Sequence, residues 1–510
     1  MKKSLLAFII TVTACTLCLT GCGSKGPYRL ELDESRTYQT MSGWGTSMAW
    51  WAQTVPEDSA ASAELARKLY SDEGIGLTIF RYNVPAGSWD LELYNNDADG
   101  RKVPNERNTD SAFIAELYDE SKTAAQNFAD DSKYDFAGSD VNAVKFMLEC
   151  INQEGSTVEK VILFSNSPHY LLTASGMTHG AVEYQSNLPA ENYEAFSEYL
   201  IKYVEYFRSL GIPVYSVSAI NEPQHRWGGE DNASQEGCHY EPEEVAAFYN
   251  EFDKHLTAYN EANGCNVKMD PFESGNYDVY KAKGRVMEYI YELSKYDYFD
   301  KLDSLSVHSY GSPLSDEARN SFRYMLEKIY GDKFSVDMSE ICQMEWGLDA
   351  SMDSGLWLAE VIYKDMRYLE ASSWSWWLGA SGYDYNDGLL TWIWGSSEGG
   401  ISATKRYDVL GQYSGFIKSG YTRIESGITD GKGNTDDNLL VTAYKGEGKT
   451  VVVITNLGDS AAEIGLPSGY TGVTAVVTDY EKSRAETYSG SVPDKMSLTA
   501  GSVTTLVFEK

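Results

Sequence analysis

The chain has 510 residues, with 75 acidic against 42 basic side chains, a formal net charge of −33 and 42% hydrophobic residues. That charge argues against nucleic acid or any other polyanion as a partner, because like charges repel. The length leaves room for a barrel of about 250 residues or more and at least one further domain.

The first residues read as an export signal. Lys2 and Lys3 precede an apolar run at 5–19, which ends in Leu19-Thr20-Gly21-Cys22 and the small residues Gly23 and Ser24. A charged start, a short apolar segment and small residues at a cut site fit a signal peptide, and the run is too short and wrongly flanked for a permanent span. The Leu-Thr-Gly-Cys ending is similar to a bacterial lipobox, which implies cleavage before Cys22, a lipid on its thiol and a membrane-anchored protein at the cell surface. Plain secretion is the alternative.

After a short linker, residues 28–38 form a polar strand with no partner nearby. From Met41 onward strand and helix patterns alternate. Helices are expected at 58–71, 140–153, 191–210, 241–263, 280–294, 316–330 and 353–370, with Pro242 suited to a first helical turn. Strand-like segments fall at 41–51, 76–85, 160–170, 214–223, 266–275, 302–311, 333–341 and 372–378. A long polar stretch to about 135 reads as an excursion over one face of the barrel. Eight strands alternating with helices imply a (β/α)8 barrel, an α/β fold. Beyond about 405 the pattern changes to short β-rich runs. Those at 439–444 and 450–456 flank a turn built on Gly446-Glu447-Gly448, a hairpin signature. Runs at 472–479 and 502–509 continue it as a side β-sandwich, which the orphan N-terminal strand joins. The expected domains are a signal at 1–22, a linker and strand at 23–40, the barrel at 41–410 and the sandwich at 411–510.

Cys15 and Cys18 leave with the signal. Cys150, Cys238, Cys265 and Cys342 remain, without zinc spacing, and their pairing is not legible. The six histidines include no His-Glu-x-x-His, so neither a catalytic metal nor a cofactor is expected.

Two strands end in carboxyl groups. Residues 214–223 are an apolar run stopped by Asn221-Glu222-Pro223, and residues 333–341 end in Ser339-Glu340. In a parallel barrel those ends are where chemistry sits. Glycosidic hydrolysis with retention uses two carboxyl groups, one held protonated and one ionised to attack the anomeric carbon. The amide of Asn221 could bond a sugar hydroxyl beside the bond being cut, which makes Glu222 the acid/base and Glu340 the nucleophile. Among 75 acidic residues a lone Glu is by default a solvated charge; the apolar strands before these two argue otherwise.

Six motifs then occur in order: Gly-Trp-Gly-Thr-Ser-Met-Ala-Trp-Trp at 43–51, Arg-Tyr-Asn-Val-Pro-Ala-Gly at 81–87, Phe-Ser-Asn-Ser-Pro at 164–168, Ala-Ile-Asn-Glu-Pro-Gln at 219–224, His-Ser-Tyr at 308–310 and Met-Ser-Glu at 338–340. Together they resemble glycoside hydrolase family 30, from about Tyr28 to the C-terminus. The resemblance implies a barrel with a side sandwich, retaining chemistry, an acid/base after the fourth strand (Glu222) and a nucleophile after the seventh (Glu340). It implies Arg81 beneath the sugar, Asn221 at the 2-hydroxyl, His308 and Tyr310 on the sixth strand and Trp377 as an aromatic platform. Trp44, Trp50, Trp51, Asn83, Asn166 and His169 become candidate pocket walls. Ile341-Cys342-Gln343 departs from the aromatic and glycine of many relatives.

The pattern is most similar to the endo-β-1,6-galactanase branch, with xylan-active and β-glucosidase or β-fucosidase types as alternatives. The expected partner is a β-linked oligo- or polysaccharide; no protein partner is expected. A non-catalytic surface lipoprotein that captures glycans remains a reading of another class, although a pure binder need not keep both carboxylates. A transporter's substrate-binding lipoprotein would instead show two similar α/β lobes.

Overall fold

The computed structural model describes residues 28–87, 110–229, 235–279, 285–311 and 313–510. The signal segment, the lipidation position Cys22 and most of the polar excursion lie outside the described residues.

The parallel strands are β1 (Gly43–Ser47), β2 (Ile79–Asn83), β3 (Lys160–Phe164), β4 (Val214–Ser218), β5 (Lys268–Asp270 and Glu273–Ser274), β6 (Ser304–His308), β7 (Ser335–Glu340) and β8 (Ala371–Ser381). Each pairs with its sequence neighbour, and β8 returns to β1 with Trp374 opposite Trp44. Closure runs through the interrupted β5. Its first half pairs with β4 and its second with β6. Pro271 stands in the break, where it has no N–H to give to a ladder. Glu273 resumes the pairing by accepting from Glu222 N at 2.8 Å and donating to Ile220 O at 2.9 Å. This splice brings the end of β4 against β5 and fixes the backbone of Glu222.

The outer helices bury one stripe each. In Asp316–Tyr330 the buried apolar residues Ala318, Phe322 and Leu326 recur every fourth position, as a helix on a sheet requires. Ser315 caps its start. Pro242 opens the Pro242–Asn263 helix, as expected, and Gly264 ends it in a left-handed conformation. The barrel interior is unusually polar at its lower end. Ser216, Ser304, Ser306, Ser373 and Ser375 line a cavity of about 20 Å³ with Asp270, where branched aliphatic side chains are the usual filling.

The N-terminal strand Tyr28–Thr40 pairs antiparallel with Thr422–Thr429. It sits inside a nine-stranded order that otherwise comes from the C-terminal region. These strands curl over a separate core that includes Leu30, Ile424, Ile454 and Phe508. The hairpin turn is Glu447-Gly448, with Gly446 facing Lys449 and positive φ at both turn residues, as a two-residue type I′ turn needs. The helix Lys405–Ser414 was not expected from the sequence. It packs between barrel and sandwich, with Gln412 bonded to Thr478 and Thr505. The four cysteines Cys150, Cys238, Cys265 and Cys342 are free thiols.

Candidate active site

The carboxyl groups of Glu222 and Glu340 meet at the C-terminal mouth of the barrel. One oxygen from each, together with a ring nitrogen of His308, lie within 4.8 Å of one another. Glu222 adopts φ +46, a left-handed conformation that is uncommon outside glycine. The splice to Glu273 and a hydrogen bond from Trp227 Nε1 to Glu222 O at 2.9 Å hold it there. A side chain at Gly275 would place its Cβ 2.9 Å from Glu222 Oε1; only glycine leaves the carboxyl its place.

Beneath the pair lies a network of cations. Arg81, fully buried, donates to Glu340 Oε2 at 3.1 Å and to Glu273 Oε2 at 2.9 Å. His308 contacts Glu222 Oε1 through Nδ1 at 2.9 Å and Glu273 Oε2 through Nε2 at 3.4 Å. Both neighbours are carboxylates, so both ring nitrogens donate and the ring is an imidazolium. Burial opposes that charge, but Glu340, Glu222 and Glu273 outweigh it and push the His308 pKa up to about 10. Tyr310 donates to Glu340 Oε1 at 2.9 Å.

These partners separate the ionisation of the carboxyls. Burial pushes Glu222 up, but the His308 contact prevails and holds it below the usual carboxylate range. Burial also pushes Glu340 up, and there it prevails over His308 and Arg81. Glu273, only 1% exposed, is driven well down by Arg81 and His308 despite burial. Glu222, His308 and Glu340 are the only group among the described residues with acidic and imidazole atoms close enough to share a metal ion. A metal ligand must be a neutral imidazole, so the trio is an ion-pair network in this protonation state.

Other sequence candidates fall into two sets. Trp377 packs edge-on to Trp50 at 5.4 Å and to Phe164 at 6.3 Å, and the Arg81 guanidinium lies over Phe164. Asn221 is buried, and its Oδ1 has no hydrogen-bond partner among the described residues. Asn83 and Asn166 are joined at 3.2 Å. Three expected pocket walls do not reach the site. Trp44 points outward from β1, donates to Ile417 O and packs on Tyr413. Trp51 turns toward the helix Val141–Asn152 and meets Phe146. His169 is fully buried among Phe113, Phe128 and Tyr199 and accepts from Leu171 N. Alternation along β1 sends Trp44 outward, while Trp51 and His169 lie in the connections beyond the ends of β1 and β3, where a motif read as one block gives no side-chain direction.

Sequence reasoning missed two carboxyls. Glu273 ends a strand too weak and broken to draw attention, although its Phe-Glu-Ser-Gly context resembles the other strand ends. Glu236 sits in a polar loop with no local signal.

A parallel (β/α)8 barrel with paired carboxyls on the ends of β4 and β7 defines a glycosidase-type architecture. The O-glycosyl hydrolase family 30 profile matches residues 27–391, and the chain belongs to that family of glycoside hydrolases. It is similar to an endo-β-1,6-galactanase of Hypocrea rufa, 23% identical over 475 residues that span 88% of this chain and 86% of the relative. A glucuronoxylanase of Bacillus subtilis is 24% identical over 52% of this chain and 53% of its own length. Among solved structures, a conserved exported protein from Bacteroides fragilis superposes with a TM-score of 0.77 at 21% identity, covering 94% of this chain and 100% of that one. The catalytic domain of a family 30 xylanase C from Talaromyces cellulolyticus gives 0.68 at 18% identity, again over 94% and 100%. These likenesses establish the barrel with its side sandwich.

Proposed function

We propose that this glycoside hydrolase cleaves a β-1,6-linked galactan internally, with retention, using Glu340 as nucleophile and Glu222 as acid/base. The observation that carries the mechanism is that one oxygen of each carboxyl lies within 4.8 Å of the other, which leaves little room for a water between the two groups. Retaining enzymes keep them about 5–5.5 Å apart, whereas inverting enzymes need about 6.5–9.5 Å for an intervening water. Arg81 and Tyr310 hold one oxygen each of Glu340 and fix its orientation. An oxygen of Glu340 attacks the anomeric carbon while the bond to the leaving oxygen breaks. That oxygen takes the proton shared along the Glu222–His308 contact, which rests on His308 Nδ1 because Glu222 is held ionised. In the second half water attacks the same carbon, the ester to Glu340 breaks, and Glu222 returns the water proton to His308. Asn221 Oδ1 is available to accept from the 2-hydroxyl.

The galactan preference rests on the motif pattern and on the Hypocrea galactanase relative that spans most of the chain. Glucuronoxylan is the second reading, favoured by the Bacillus relative. The test is product formation from β-1,6-galactan, glucuronoxylan and β-1,6-glucan by wild type, Glu222→Gln and Glu340→Gln. Galactan oligosaccharides with the β-configuration at the newly freed end, reduced by about 10²–10⁴-fold or more in both variants, are expected. Products from xylan alone would move the substrate and keep the mechanism. Equal activity in either variant would overturn the assignment of that carboxyl.

A further inference from the structure

The loop that begins at Glu222 comes back to the site with a second carboxyl. Glu236 is 3% exposed. Its Oε1 accepts from Asn83 Nδ2 at 2.7 Å and from Asn166 Nδ2 at 3.3 Å. The Trp50 indole lies close enough to the same carboxyl to favour its ionised form. Trp227 ties the two acids of this loop together. Its indole donates to the Glu222 carbonyl, and its ring lies against Gly237, where a Cβ would come within 2.3 Å of it. The residue after Glu236 must therefore be glycine for the loop to fold back.

Strand alternation places Glu236 relative to the chemistry. Arg81 on β2 points into the barrel, to Glu340 and Glu273. Asn83, two residues on, points the same way one layer nearer the mouth. Its partner Glu236 thus stands over the β1–β3 side, while Glu222, His308 and Tyr310 occupy the side from β4 to β6. Trp50 connects the two regions through its edge contact with Trp377. Packing does not explain the choice of an acid here. A glutamine would accept from both asparagines equally well, without the cost of burying a carboxyl among neutral donors. In the binding mode proposed here, with the anomeric carbon at Glu340 and the 2-hydroxyl at Asn221, the remaining ring hydroxyls face β1–β3.

We propose that Glu236 is a specificity-determining residue that binds the 3- or 4-hydroxyl of the sugar whose anomeric carbon is attacked. The proposal rests on the reading of Glu222 and Glu340 as the acting pair and names the sugar contact of that same site. Burial raises the Glu236 carboxyl to about 7, against the bonds from Asn83 and Asn166. It can therefore accept from or donate to a hydroxyl near neutral pH.

The test compares p-nitrophenyl β-1,6-galactobioside with analogues lacking the 3- or the 4-hydroxyl in the ring next to the nitrophenyl group, for wild type, Glu236→Gln and Glu236→Ala. In wild type, loss of one of these hydroxyls should lower kcat/KM by about tenfold or more. In Glu236→Ala the same loss should cost much less, with Glu236→Gln in between. Glu236→Gln preserves volume and serves alone should the alanine variant not fold. An identical deoxy penalty in wild type and variants would overturn the contact and leave Glu236 a brace for Trp50. Failure of wild type to cleave the parent galactoside while cleaving xylan would overturn the proposal for galactosides. Labelling by a 2-deoxy-2-fluoro galactosyl fluoride separates the two readings. A label on a residue other than Glu340 would overturn the nucleophile assignment, while the deoxy comparison would still read the Glu236 contact.

Discussion

Glu273 and Glu236 are buried to nearly the same degree on the two sides of one barrel mouth, yet they ionise in opposite directions. Glu273 has a guanidinium at 2.9 Å and an imidazolium at 3.4 Å, and falls well below the usual range. Glu236 has two amides and an indole, and rises to about 7. Desolvation is common to both, so the charge of the partners decides. The β4–β7 side thereby keeps fixed charges in place, and the β1–β3 side holds an acid that can both give and take a hydrogen bond.

The largest disruption of this contrast is expected from Arg81→Met. It strips the cation from Glu273 and Glu340 together, and removing one partner of a buried pair costs about 3–5 kcal/mol. Urea unfolding should show that loss, with activity falling alongside. Unchanged stability would mean that His308 alone sustains the network.

A smaller effect concerns pH. The folded pKa of Glu236 lies above its unfolded value of 4.5. Its contribution to stability is therefore fully present below pH 4.5 and lost as pH rises through about 7. At about 1.4 kcal/mol per pKa unit, the loss is ~3 kcal/mol. Glu236→Gln should flatten the fall in unfolding free energy between pH 4.5 and 8. Asp140, raised by burial to about 7 and bonded by Tyr82, titrates in the same window. The informative quantity is thus the difference between wild type and variant, and parallel curves would contradict the neutral-donor account.

The smallest effect separates the two tryptophans of one motif. Trp44→Phe loses the indole bond to Ile417 O, about 1 kcal/mol, and should leave KM unchanged. Trp50→Phe removes the indole nitrogen beside Glu236 and should raise KM. A KM change in Trp44→Phe would return that residue to the pocket.

Much of this was legible in advance. Eight strand patterns and a β-rich tail specify the barrel and sandwich, because apolar periodicity encodes which face is buried. Glu222 and Glu340 stand out because a carboxyl directly after an apolar strand has few other places to go. The helix Lys405–Ser414 was missed because nearly all of its residues are buried, from Arg406 to Ser414, so it lacks the one-sided stripe that marks a surface helix.

The sequence by itself determined the element order, the carboxyl pair and the family, all of which depend on local pattern and ordered motifs. Only the tertiary structure decided that Trp44, Trp51 and His169 face away from the site. It alone joined Glu273 to Arg81 and His308, and carried Glu236 across to Asn83 and Asn166. These outcomes turn on strand alternation at Trp44, on the connections beyond β1 and β3, on the splice at Pro271 and on the chain folding back at Gly237. Each sets side-chain directions between residues far apart in the chain, and no local pattern encodes those distances.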